Sequence, residues 1–204
     1  MTESWRTLET LELVGGVLCL DFVNTINSRI MPEHDYLMAY PDLVQWMRKV
    51  GVLSADQANV LQTQARHNID EAEAALHKAL ALRDVLYHLF SSIARQSEPP
   101  TDVMDSFIAL YGEAVSHSQL VRTGSTYTPQ WEVDRSYDAV LWPVAYSAGD
   151  LLFSQALSQI KECPGCGWLF LDTSKNQSRR WCSMNTCGAR SKMRRYHGKL
   201  RESG

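Results

Sequence analysis

Apolar residues recur every three or four positions along most of the first 160 residues, which is the spacing of an amphipathic helix. The helices that this pattern predicts begin at familiar start signals: residues 41–50, a segment opened by the capping sequence Ser54-Ala-Asp-Gln57, residues 70–95, and residues 101–117 with Thr101 as the cap. Helices therefore account for most of this part of the chain.

Three stretches depart from this pattern. Residues 14–25 are apolar with a polar end, and predict a short strand that runs into a helix. Alternating residues around Gly124-Ser125 predict a β-hairpin within residues 120–133. A further helix is predicted over residues 136–160, with Pro143 kinking it or starting its second half. We therefore expect residues 1–160 to form a mainly α domain with a small β-hairpin.

Four cysteines follow in two close pairs. Two residues separate Cys163 from Cys166, and four separate Cys182 from Cys187. Four thiolates can form a closed tetrahedral shell around Zn²⁺, with no position left for a water to be activated. We expect one structural zinc ion per chain, the alternatives being a disulfide or four free thiols.

The residues around the cysteines predict a treble-clef-like zinc finger over residues 161–204. Cys163 and Cys166 form a knuckle, residues 168–172 a strand, residues 179–182 the returning strand, and a helix starts near Cys187. No flexible linker separates this module from residues 1–160, so we expect the two parts to hold a fixed orientation.

The two parts differ sharply in charge. Residues 1–160 contain 10 Lys and Arg against 20 Asp and Glu, a net charge of −10. Residues 161–204 contain 10 against 3, a net charge of +7. This asymmetry predicts an anionic partner for the finger.

The terminal helix has an apolar stripe between two rows of cations. We expect the stripe, formed by Ala189, Met193, Tyr196 and Leu200, to pack on the aromatic residues of the finger. The cations form a candidate surface for double-stranded DNA: Arg179, Arg180, Arg190, Lys192, Arg194, Arg195 and Lys199. A solvated face without a partner is the alternative.

A polar group closes the apolar stretch of residues 14–25. Asp21, Asn24 and Thr25 could line a ligand pocket, or they could cap a helix and form buried hydrogen bonds. The structural interpretation is preferred, because these residue types commonly have that role.

Two segments resemble a known family arrangement. Cys163-x-x-Cys166, Arg179-Arg180-Trp181-Cys182 and Cys187-Gly188-Ala189-Arg190 resemble the CGNR zinc finger. Gly15-Gly16 through Asn24-Thr25 resembles the opening of the ABATE domain, and Ser147-Ala148 with Leu151-Leu152 fits its last helix. The resemblance implies a bacterial stress-related transcription regulator. Ala189 stands where the family has Asn, and cannot make the contacts of that side chain.

Three classes of function can be distinguished for this sequence. The first is a DNA-binding regulator whose N-terminal domain senses a small-molecule effector or forms a homodimer. The second is an adaptor whose finger docks on protein or RNA. The third, an enzyme, is not expected, because no nucleophile elbow, phosphate-binding glycine loop or HExxH motif is found. No apolar run approaches the roughly 20 residues of a membrane span, and no signal sequence is seen, so we expect no membrane partner and a cytoplasmic location.

Overall fold

The computed structural model describes the backbone of residues 7–202 and the side chains of residues 7–196. Within that part, the helices in chain order are α1 Leu18–Val23, α2 Tyr40–Lys49, α3 Ala55–His67, α4 Ile69–Ala94, α5 Thr101–Ser116, α6 Trp142–Leu152 and α7 Ala189–Glu202. The strands form two antiparallel pairs, β1 Gln119–Thr123 with β2 Thr126–Gln130, and β3 Ile160–Glu162 with β4 Leu169–Leu171. The predicted fold class, mainly α with a small hairpin and a C-terminal finger, is confirmed.

The start signals seen in the sequence act largely as expected. The Ser54 hydroxyl accepts from the Gln57 N–H (3.2 Å), and the Gln57 amide oxygen accepts from the Ser54 N–H (3.0 Å), which completes the capping box of α3. Thr101 differs from the prediction, because it is the first residue of α5 and Pro100 precedes it as the cap.

Two predicted elements were wrong. Residues 14–17 are irregular, with Gly16 at φ +88°, and none of residues 7–17 forms a strand. The single helix predicted over residues 136–160 is divided into a 3₁₀ turn at Ala139–Leu141, α6, and a second 3₁₀ turn at Gln155–Gln159. Pro143 lies in the first turn of α6, where its missing N–H breaks no helical hydrogen bond.

Helix α1 lies at the centre of the core. It is only six residues long, and its Cys19, Leu20, Phe22 and Val23 are all completely buried. Its neighbours are α6, α4 and the strand β4, so the core of the helical domain continues into the finger. The ring centroid of Phe22 lies 5.3 Å from that of Trp46, which comes from α2 and is also buried.

The finger's strands pair differently from the prediction. The partner of β4 is β3, with Ile160 opposite Leu171 and Glu162 opposite Leu169. Residues 179–182, expected as the returning strand, are irregular. The reason is that the chain reverses within the Cys163–Cys166 knuckle, which brings β3 and β4 together before residues 179–182 are reached. Among residues 7–202, no helix is long and apolar enough to cross a bilayer.

Candidate metal centre and nucleic-acid interface

The four cysteines of the finger converge on one point. Their Sγ atoms all lie within 4.8 Å of one another, with 3.5 Å between Cys166 and Cys182 and 3.7 Å between Cys182 and Cys187. A tetrahedron with Zn–S bonds of about 2.3 Å requires S–S separations of about 3.8 Å. The four side chains are buried, and no disulfide joins them. The donor set and its spacing fit one structural zinc ion, held by Cys163, Cys166, Cys182 and Cys187.

The knuckle is formed by backbone hydrogen bonds around two glycines. The Gly167 N–H donates to the Cys163 carbonyl (2.8 Å), and the Cys163 N–H donates to the Trp168 carbonyl (2.8 Å). Gly167 has φ +74°, a conformation that favours glycine. A Cβ on Gly165 would lie 3.3 Å from the Cys187 sulfur, so this glycine leaves room for the fourth ligand.

The four thiols share their protons unevenly. Hydrogen bonds from the neighbouring thiols, Cys166 first, lower the pKa of Cys163, whereas hydrogen bonds with Cys163 raise the pKa of Cys166 and of Cys182. Thiolates are the form that binds zinc, so metal binding must release protons from this group.

A buried carboxylate organises the loop between the two cysteine pairs. Asp172 accepts hydrogen bonds from the Ser174 hydroxyl (2.6 Å) and the Arg179 N–H (2.8 Å), and forms an ion pair with Lys161 (2.6 Å). Burial opposes the charge of this carboxylate, but Lys161 and the hydrogen bonds outweigh burial and lower its pKa. Asp172 therefore fixes the course of residues 173–180.

Two arginines of the predicted nucleic-acid surface lie next to the third ligand. The half-buried Arg179 donates from Nε to the Trp181 carbonyl (3.0 Å) and from Nη2 to the Cys182 carbonyl, and its guanidinium lies 4.5 Å above the centre of the Phe170 ring. Arg180 is exposed, 5.0 Å from the centre of the Trp181 ring. Arg179 thus supports the metal site, and its contact with nucleic acid stays a prediction.

The remaining predicted cations lie on α7. Arg190, Lys192, Arg194 and Arg195 are exposed, whereas the side chain of Lys199 lies outside the described residues. The helix continues directly from a single wide helical turn at Met184–Gly188, which carries the fourth zinc ligand. The metal therefore fixes where α7 begins.

The apolar stripe of α7 is not packed as predicted. Met193 is 62% exposed and Tyr196 is 64% exposed, Ala189 is half-buried, and the side chain of Leu200 lies outside the described residues. The prediction was wrong because Trp168 and Phe170, its expected partners, are already buried between the finger and the helical domain.

The polar residues of α1 and its C-terminal end each have partners within the protein. Asp21 accepts from the Gly15 N–H (2.7 Å), and burial raises the pKa of this carboxyl to about 6. Thr25 donates to the Phe22 carbonyl (2.7 Å) and its hydroxyl accepts from Arg83, which also forms an ion pair with Asp35.

Asn24 connects the helical domain to the finger. Its Nδ2 donates to the Leu169 carbonyl (2.8 Å), and its Oδ1 accepts from the Leu169 N–H (3.0 Å). The contacts of Asp21, Asn24 and Thr25 agree with the structural interpretation, in which these residues form buried hydrogen bonds within the protein. The two clefts described in this structure are not lined by Asp21, Asn24 or Thr25.

Further contacts between the two parts were missed by the sequence analysis. The Arg29 N–H donates to the Cys166 carbonyl (2.7 Å), the Ser28 hydroxyl donates to the same oxygen (3.3 Å), and Trp168 Nε1 donates to the Ile26 carbonyl (2.7 Å). The only signal for them was the polar run that follows Thr25, which does not indicate a partner so distant in the chain.

The chain matches two family models. The ABATE family, described as "Putative stress-induced transcription regulator", matches residues 16–155, and the CGNR zinc finger matches residues 159–199. The second match contains β3, β4 and all four zinc ligands. No curated protein matches the chain.

Proposed function

The chain belongs to the ABATE family and carries a CGNR zinc finger, and on this premise we propose that it regulates transcription by binding double-stranded DNA through the finger. The observation that carries the proposal is the row of exposed cations on α7, next to the buried zinc ligands. A basic helix held by zinc is a common way to contact duplex DNA.

Charge supports the orientation that this proposal requires. The helical part carries a net charge of −10, and the finger part carries +7. Hydrogen bonds from residues 24–29 hold the knuckle and β4, and with them the base of the finger, on the acidic domain. DNA should attract the finger and repel the helical domain, so the protein should approach the duplex with its finger.

The other parts of the proposal concern the helical domain. We propose that it senses a small molecule or forms a homodimer. We also propose that the protein is not an enzyme, because its sequence has no nucleophile elbow, phosphate-binding glycine loop or HExxH motif, and four thiolates leave zinc no open position for chemistry. We place it in the cytoplasm, where bacterial DNA is accessible.

Binding measured at several salt concentrations tests the DNA proposal. A protein that neutralises phosphates loses affinity with a slope of about −0.9 in log K against log salt for each contact. The double variant Arg194→Ala/Arg195→Ala should weaken binding to every duplex and reduce that slope by up to about two units. The matched control is Arg48→Ala/Arg66→Ala, which removes two exposed cations from α2 and α3. Equal binding by wild type and the α7 double variant, with zinc retained, would overturn the proposal.

Exposure of the α7 stripe favours a second candidate, an adaptor that docks on protein or RNA. Met193 and Tyr196 present apolar surface beside the cations, which suits a protein partner. Burial of apolar surface depends little on salt, so this function predicts binding that Met193→Ser weakens and that salt hardly changes. A steep salt dependence that Met193→Ser leaves unaltered would exclude docking on a protein, and comparison of duplex DNA with RNA as the ligand then separates the two nucleic acids.

A further inference from the structure

A cleft of about 660 Å³ lies where the C-terminal end of α4 meets the finger. One wall comes from α4 and the loop after α1, and the other from β3, the knuckle and the loop of residues 173–180. The helical domain contributes the apolar Ile30 and the cationic Arg95 to its lining. The finger contributes three cations, Lys161, Arg179 and Arg180. The volume is in the range of small-molecule sites.

Two of the cations in this cleft are neutralised within the protein. Arg95 donates from Nε and Nη2 to the two carboxylate oxygens of Glu162 (2.8 and 2.7 Å), and Lys161 forms an ion pair with Asp172. Both carboxylates are thereby used, and Glu162 also accepts from the Tyr87 and Ser91 hydroxyls. These pairs hold the cleft's walls in place.

The other two cations have no carboxylate partner among the described residues. Arg179 donates from Nε and Nη2 to backbone carbonyls, and it lies beside the four thiolates of the metal site rather than beside a carboxylate. Arg180 contacts only the face of the Trp181 ring in the described structure. The cleft therefore offers two guanidinium groups that no carboxylate of the described residues occupies, both on the finger side.

The opposite wall offers a different chemistry. Ile30, 55% exposed, lies at the cleft with Ala94 and Pro164, and none of these side chains forms hydrogen bonds. A ligand that fills the cleft would thus present an anionic group to the arginines and an apolar or planar part to this wall. Arginine recognises phosphate well because its guanidinium matches the geometry of phosphate oxygens.

We propose that this cleft binds a phosphorylated small molecule of nucleoside monophosphate size, with its phosphate on Arg179 and Arg180 and its uncharged part against Ile30 and Ala94. The inference does not require DNA binding by α7, and it places an effector site away from Asp21, Asn24 and Thr25. A ligand here contacts both parts of the protein and lies beside the chain segment that leads to Cys182. Its binding stabilises the docked finger.

Calorimetric titration of the full zinc-loaded protein, without DNA and at constant ionic strength, tests this site. The probes are adenosine 5′-monophosphate, inorganic pyrophosphate and, as the uncharged comparison, adenosine. We expect saturable binding of the monophosphate, weaker binding of pyrophosphate and none of adenosine. Arg180→Ala should weaken monophosphate binding at least fivefold. Arg194→Ala, an equal loss of charge on α7, should leave it unchanged.

The same variants show whether the cleft binds the phosphate of a small molecule or the phosphates of DNA. If monophosphate binding is absent in the wild type, or is equal in wild type and Arg180→Ala, the proposal is overturned. It is also overturned if a 20-base-pair duplex displaces the monophosphate and Arg180→Ala weakens both to the same extent, because the cleft then belongs to the DNA surface. Failure of DNA binding in the α7 double variant, with monophosphate binding intact, concerns only the proposed regulator function.

Discussion

Asn24 and Leu169 lie 145 positions apart in the chain and are joined by two buried hydrogen bonds. The side-chain amide pairs with the backbone N–H and C=O of one residue, as a neighbouring strand would. Close by, the Leu171 N–H donates to the Gly15 carbonyl (2.9 Å). The edge of β4 opposite β3 is therefore closed by two groups from the helical domain, and the finger needs no third strand.

Asn24→Ala should destabilise the whole protein. It leaves the Leu169 N–H and C=O without partners in a buried position, and unpaired groups of this kind cost about 1–3 kcal/mol each. We expect the free energy of unfolding to fall by about 2–4 kcal/mol in denaturant titrations. The control is Asn59→Ala on the exposed face of α3, which should change stability by less than about 0.5 kcal/mol. Equal stability of the two variants would contradict the role given to Asn24.

Removing a zinc ligand should unfold the C-terminal part of the finger and leave β3 and β4 in place. Cys182→Ser should lower the metal content below one zinc per chain, measured by elemental analysis after dialysis against a chelator. Limited proteolysis should then cut first within residues 173–202, because β3 and β4 remain docked by Asn24 and Trp168. Cys19→Ala is the control, since Cys19 lies in α1 and not among the metal ligands. A finger that keeps its zinc and its resistance in Cys182→Ser would refute the ligand assignment.

Asp21 should make stability depend on pH in a defined window. Burial raises its pKa from the ordinary 3.8 to about 6, so the folded state binds its proton more tightly than the unfolded chain. Its ionisation therefore costs stability fully above about pH 6, and the cost disappears as the pH falls toward 4. Asp21→Asn keeps an acceptor for the Gly15 N–H and cannot ionise.

The difference in unfolding free energy between Asp21→Asn and the wild type reports the effect of ionising the Asp21 carboxyl group. Asp21→Asn should be more stable than the wild type by about 2–3 kcal/mol at pH 7, and the two should converge near pH 4. Denaturant titrations at several pH values measure this difference directly. A constant difference across the range would show that the pKa of Asp21 is the same in the folded and the unfolded states.

Gly167→Ala should weaken the contact between the finger and residue 29. Gly167 has φ +74°, and a Cβ there would lie 2.8 Å from the Cβ of Arg29. We expect a loss of about 1–3 kcal/mol in the free energy of unfolding. Gly112→Ala in α5 is the matched comparison, because a Cβ there meets nothing within 4 Å and helix propensity should add about 0.5–1 kcal/mol. If both substitutions change the free energy of unfolding in the same direction, the proposed clash at Gly167 is disproved.

The parts of this protein that were predictable are those with local causes. The capping box of α3 depends on residues three positions apart, and the two cysteine pairs each span a single turn, so their spacing is visible in the sequence. The prediction of one helix over residues 136–160 was only partly right. The rule that proline favours the first turn of a helix located the start of α6 near Pro143, but no residue type nearby showed that the helix ends at Leu152.

The unpredictable parts depend on which surfaces are already covered. The spacing of Met193 and Tyr196 shows that they share a helical face, but not that Trp168 and Phe170 are buried elsewhere. Asn24 likewise looks like an ordinary capping residue, because its partner is distant in the chain. Helical periodicity and residue type carry no information about such long-range pairing.

The position of α1 has a consequence for how the protein is made. Its neighbours α4, α6 and β4 all come later in the chain, and the ribosome delivers β4 only after residue 171 has been added. Trp46 of α2 can cover Phe22 early, but the rest of the apolar surface of α1 stays incompletely covered until α6 and β4 have been made. We expect ribosome-bound chains that stop before β4 to require a chaperone, and expect the native core to close only when the zinc-binding segment emerges.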